Sequence, residues 1–131
     1  MSPLERTLAA FDAASRASGS VAWGTFDCLR FALCGAGRAD LIETLVPDYS
    51  SQRQAIRALR ARGYATLADA IDSIGARVGA PLPGDIGFVD QPPVGALGLV
   101  VGREALFLKP GGGLHPLHPR IVWRLAPCPK P

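Results

Sequence analysis

In the first half of the chain apolar positions recur every three or four residues; in the second half they gather into short runs punctuated by glycine and proline. The first pattern predicts helices and the second strands. Ser2-Pro3-Leu4-Glu5 opens a helix, with Ser2 placed to cap it, Pro3 at its first position and Glu5 closing a capping box. Leu4, Leu8 and Phe11 then fall on one face, and the helix is expected to end before Gly19. Val21 to Phe26 reads as a connector carrying Trp23 and Gly24. Asp27 suits the N-cap of a second helix over Cys28 to Leu33, stopped by Gly35 and Gly37. A polar loop with Pro47 follows. Ser51-Gln52-Arg53-Gln54 starts a third helix running to Arg62 with Gly63 as its C-cap, and Thr66-Leu67-Ala68-Asp69 starts a fourth ending at Gly75.

Beyond Pro81-Leu82-Pro83-Gly84 the period changes. Strands are expected over Asp85 to Asp90, Leu97 to Val101, Ala105 to Leu108, near Leu114, and over Ile121 to Leu125, with Trp123 as a core anchor. Gln91-Pro92-Pro93 turns the chain, Gly102-Arg103-Glu104 makes a tight hairpin, and Pro110 to Gly113 is a loose loop. Helices followed by an antiparallel meander imply an α+β fold, its N-terminal helices packed on a small antiparallel C-terminal sheet. We read one domain over residues 1–125 and a Pro-rich tail over 126–131.

Composition narrows the function classes. At 131 residues, 48% hydrophobic and 19% charged, the chain can build a core without staples. Its net charge is +3, and no block of like charge resembles a nucleic-acid-binding arm. The densest basic stretch, Arg53, Arg57, Arg60 and Arg62, has helical spacing and reads as a partner-facing, phosphate-facing or simply solvated helix face. No apolar run is long enough to span a membrane, and the N-terminus lacks the apolar core of an export signal. Three cysteines with no Cys-x-x-Cys spacing argue against a disulfide framework and a metal site. Gly111-Gly112-Gly113 lacks the Lys-Ser/Thr and helix of a phosphate loop, so no cofactor is expected.

One position invites chemistry. A cysteine in the first turn of a helix feels the positive end of the helix dipole and the unpaired amides there. Both favour thiolate and lower the pKa, although Asp27 opposes this and Arg30 offsets it. Cys28 is thus a candidate nucleophile. The alternative is a small buried core residue, the usual state of free cysteine.

Three further motifs set Cys28 in a pattern. Trp23-Gly24 precedes Asp27-Cys28; Pro83-Gly84-Asp85-Ile86-Gly87-Phe88 begins the strand region; Ala96-Leu97-Gly98-Leu99-Val100-Val101-Gly102 forms the next strand. In this order the chain, from Val21 to Leu125, resembles the NlpC-type cysteine peptidases, papain-like hydrolases that cleave bacterial cell-wall peptides. The resemblance implies that Cys28 is the nucleophile and that the catalytic histidine falls on Ala96, which is unable to serve as a base. The histidines present are His115 and His118, flanked by Pro116 and Pro119, and they are the candidate displaced bases. The run from Ala96 to Phe107, with Gly113-Leu114 and Trp123-Arg124-Leu125, is most similar to a phage and prophage tail-module family of that type.

Two readings follow from the resemblance. In the first, the chain is a structural component of a phage-type tail tip or baseplate with a degenerate, non-catalytic site. It is then made in the bacterial host cytoplasm and located in the virion, its partners are other tail-tip and baseplate proteins, and the Pro-rich tail and the loop around Gly111 contact them. In the second, it is an active cysteine hydrolase acting on peptidoglycan, with Cys28 as nucleophile and His115 or His118 as base. A regulatory or chaperone-like module absent from the particle is a third.

Overall fold

Capping chemistry sets most of the helix starts. The computed structural model describes residues 2–16, 27–46, 49–109 and 113–127. Trp23, Gly24, Gly111, Gly112 and Cys128 lie outside them. Helix α1, Pro3–Arg16, opens with the expected reciprocal box: Glu5 N donates to Ser2 Oγ at 3.1 Å and Ser2 N to Glu5 Oε1 at 3.0 Å. Helix α2 is Cys28–Gly35, α3 is Ile42–Leu45, α4 is Gln52–Ala61 and α5 is Leu67–Asp72. Thr66 and Asp69 form a full capping box for α5. At α4, Ser51 Oγ accepts from Gln54 N as expected, but Gln54 Oε1 reaches back to Ser50 rather than to Ser51.

Three helical expectations are corrected. Leu8 points outward, 56% exposed, and α1 instead turns Thr7, Ala10 and Phe11 inward, the last two against Phe31 and Leu99. α2 ends on Gly35 rather than at Leu33; a Cβ on this last helical residue would meet Leu99 Cδ1 at 2.1 Å, so the glycine also permits close helix–sheet contact, and the chain turns at Gly37 with φ 78°. The polar loop before Pro47 contains a 3-10 turn, Ala39–Leu41, and the short α3, because Ile42, Leu45 and Val46 are buried in the core.

The sheet has six antiparallel strands: β1 Gly75–Arg77, β2 Ile86–Val89, β3 Ala96–Val100, β4 Ala105–Leu108, β5 Leu114–Leu117 and β6 Ile121–Leu125, in the order β1-β6-β2-β3-β4-β5. Five match the sequence expectation. The sixth, β1, begins at the glycine expected to end α5, because Gly75 pairs with Leu125 at the sheet edge. The fold is α+β with a small open sheet, as the two periods imply.

Strand alternation divides the core. Ile86, Phe88, Leu97, Ile121 and Trp123 face the helices, and Trp123 is fully buried with its ring edge-on to Phe88. Val100, Ala105, Phe107 and Val122 form a second cluster on the opposite face. Two motifs of the sequence meet beneath this face. Asp85, buried at the start of β2, receives Arg124 Nε at 3.0 Å and Nη2 at 2.8 Å, and its Oδ2 also accepts from Leu82 N at 2.8 Å. The Pro-Gly-Asp turn and the Trp-Arg strand are thus locked together by a bidentate ion pair.

A cysteine at a helix start beside an apolar cavity

Asp27 organises the start of α2. It is extended, and its Oδ1 accepts from Arg30 N at 3.0 Å, as a capping aspartate should. Its Oδ2 accepts from the Tyr49 hydroxyl at 2.7 Å. Asp27 is fully buried and Tyr49 nearly so, and burial together with this hydrogen bond holds the phenol well above its usual range. Arg30 completes the cluster, with Cζ 5.6 Å from the Tyr49 ring centroid and Nε 4.0 Å from Asp27 Oδ2.

Cys28 is the first residue of α2 and is half-buried, with its thiol free. The low pKa expected from the helix start is not found. Burial, with the Asp27 charge added, pushes the thiol up to about 11, and hydrogen bonding from the Leu97 backbone only partly offsets this. Desolvation therefore outweighs the dipole, and at neutral pH the sulfur carries its proton. Cys34 lies exposed farther along α2, and its thiol is also raised by partial burial.

Beside Cys28 lies a cavity of about 340 Å³. Its walls come from α2, from Tyr49, from the inner face of α4 and from the segment Gln91 to Ala96. They are mainly apolar, with Tyr49, Gln52 and Gln91 as polar members. Cys28 and Ala96 both line it, and among the described residues no histidine does.

The histidines lie elsewhere. His115 is on β5 opposite Phe107, with the two rings edge-on and 6.5 Å between centroids. Since Phe107 belongs to the cluster on the far side of the sheet from the helices, its partner His115 shares that far side. β5 is also two strands from β3, a displacement of about 10 Å. His118 is exposed in the turn after β5, next to Pro119, which covers Gly87 on the same far face. Cys28 and Ala96 thus line one cavity that no described histidine reaches, although Ala96, alternating with the inward Leu97, packs its side chain against the far-face cluster of Val100 and Phe107.

Tyr49 was missed in the sequence because it stands outside any periodic run. The usable signal was the buried polar requirement of Asp27, whose second oxygen needs a donor. Among the described residues no group of three or more His, Cys, Asp or Glu side chains is placed to hold a metal ion. Among them, too, no helix is long and apolar enough to cross a membrane.

No match was found among curated proteins, and none among solved structures. The model of the family described as a domain of unknown function (DUF6950) matches residues 3–125, a span that runs from α1 to the end of β6, and the chain belongs to that family.

Proposed function

We propose that the protein is a structural component of a phage-type tail tip or baseplate, built on a papain-like, NlpC-type frame whose site no longer catalyses. The observation that carries the loss of catalysis is the pairing of Cys28 with Ala96 on one cavity whose described lining holds no histidine. A thiol pushed up to about 11 has no base to deprotonate it there and no imidazolium to protonate a leaving amine. The motifs that resemble the NlpC type occupy consistent places: Asp27-Cys28 at a helix start, Pro83-Gly84-Asp85 leading into β2, and Ala96 opening β3. The tail assignment rests on the likeness of the Ala96 to Phe107 run and the closing Trp123-Arg124-Leu125 strand to tail-module proteins. The protein is then made in the host cytoplasm, incorporated in the virion tail and held by tail-tip and baseplate neighbours. A wall-peptide hydrolase using His115 or His118 is the weaker reading, since both residues lie toward the far face of the sheet.

Two measurements test this. Purified protein incubated with wall peptides should release no products beyond those of Cys28→Ala, and mass spectrometry of purified particles should find the chain. Cys28-dependent cleavage would overturn the loss of catalysis, and absence from particles would overturn the tail role.

A further inference from the structure

We infer that the outer face of α4 and the adjoining cavity bind an acidic amphipathic segment of a partner protein. Its carboxylates would be spaced along a helix and one apolar side chain would anchor it. The inference rests on α4 and the cavity alone and is independent of where the protein works.

The first observation is an imbalance of charge. Arg38, Arg77, Arg120 and Arg124 each pair with an aspartate, namely Asp40, Asp72, Asp90 and Asp85. Arg53, Arg57 and Arg60 are exposed and make no ion pair among the described residues. They stand four and three residues apart, on one face of α4. No acidic residue occurs in α4 to relieve them. Like charges at this spacing destabilise a helix. A partner's carboxylates would remove that repulsion.

The second observation is position. Gln52 and Ile56, each one residue before an arginine of the stripe, line the cavity beside Cys28. The basic stripe therefore borders the cavity, and a ligand able to use both is anionic on one side and apolar on the other. The stripe is about 10 Å long at 1.5 Å per residue, too long for a single carboxylate and suited to two successive turns of a partner helix. The cavity, at about 340 Å³, is at the small end of ligand pockets and fits an anchor of the kind that dominates interface energetics.

Nucleic acid is the other anionic class, and it fits less well. Its binding surfaces combine many phosphate contacts with exposed aromatic rings for stacking. Among the described residues, the exposed large hydrophobics are Leu8, Leu82 and Val101, none of them aromatic, and Tyr49 is buried.

Fluorescence anisotropy tests the proposal with a labelled synthetic helical peptide. It carries glutamates at four- and three-residue spacing and a tryptophan on the adjoining face. Wild type should bind it, and Arg53→Glu/Arg57→Glu should bind at least about tenfold more weakly, as reversed interfacial charges do. A peptide with lysine in place of glutamate should restore binding to that variant, which circular dichroism should show folded. In a Cys34→Ser/Cys128→Ser background, bound peptide should also slow maleimide modification of Cys28. The proposal is overturned if no peptide binds, if a scrambled peptide of the same composition binds equally, if charge reversal has no effect, if Cys28 is not protected, or if a duplex oligonucleotide binds more tightly.

Discussion

Asp27→Ala removes the cap on Arg30 N and the acceptor for the Tyr49 hydroxyl together, along with the carboxylate that the Arg30 guanidinium approaches. Loss of an N-cap costs about 1 kcal/mol. A buried hydroxyl left without a partner costs about 1–3 kcal/mol. The variant should therefore lose about 2–4 kcal/mol of stability. Tyr49→Phe leaves the fully buried carboxylate short of a donor and should cost about 1.5–3 kcal/mol, the range for a hydrogen bond to a charged group. Both changes delete the same bond, so the double variant should cost less than the sum by a similar about 1.5–3 kcal/mol. Urea unfolding of the four proteins in one buffer, followed by circular dichroism, measures this coupling. A coupling below about 0.5 kcal/mol, the additive limit for independent sites, would refute the role given to Asp27. Asp27→Asn separates charge from capping: the amide still accepts from Arg30 N, while removal of the Asp27 charge should bring the Cys28 thiol below about 11.

His115→Ala should leave alkylation of Cys28 at neutral pH unchanged, since His115 lies against Phe107 on the far face of the sheet; thiol-trapping rates decide this, and a slower rate in the variant would contradict it. Arg124→Ala strands the buried Asp85 carboxylate, and since Arg124 itself is 44% exposed and water can partly replace it, we expect a loss of about 1–3 kcal/mol in urea unfolding. Hydrogen bonds from Arg77 and Trp123 depress Asp72 from 3.8 to about 2, so its contribution is full above pH 3.8 and fades as pH falls through about 2. The stability gap between wild type and Asp72→Asn should narrow over that window, and a gap constant from neutral pH to about 2 would contradict the assignment.

The parts of the fold legible in the sequence are those set by local chemistry. Ser2, Asp27, Ser51 and Thr66 mark helix starts because a side-chain oxygen at that position meets an unpaired amide nearby in the chain. Trp123 and the short apolar runs mark strands through their own composition and the turn residues that bound them. What was misread depends on distant partners. Gly35 ends α2 as expected, but its close contact with Leu99 is invisible in the sequence, and Gly75 looks like a helix stop until Leu125 pairs with it. Spacing groups Leu8 with Phe11 on one face, but which side chains of α1 turn inward is chosen by Phe31 and Leu99, far along the chain. At the site, the dipole argument for Cys28 was local and correct in sign, yet burial among residues of other elements reversed its outcome. That Cys28 and Ala96 line one cavity agrees with motif order; that His115 lies on the far face, where Ala96 also packs, required the strand register.

The central proposal is that Cys28, though it opens a helix, has no activated nucleophile's chemistry. Its most direct test is the pH profile of iodoacetamide alkylation at Cys28 in Cys34→Ser/Cys128→Ser protein. A thiol held near 11 gives slow alkylation at neutral pH, with no inflection up to the free-thiol value of about 8.5. An inflection at or below about 7.5, where activated cysteines titrate, would contradict the account.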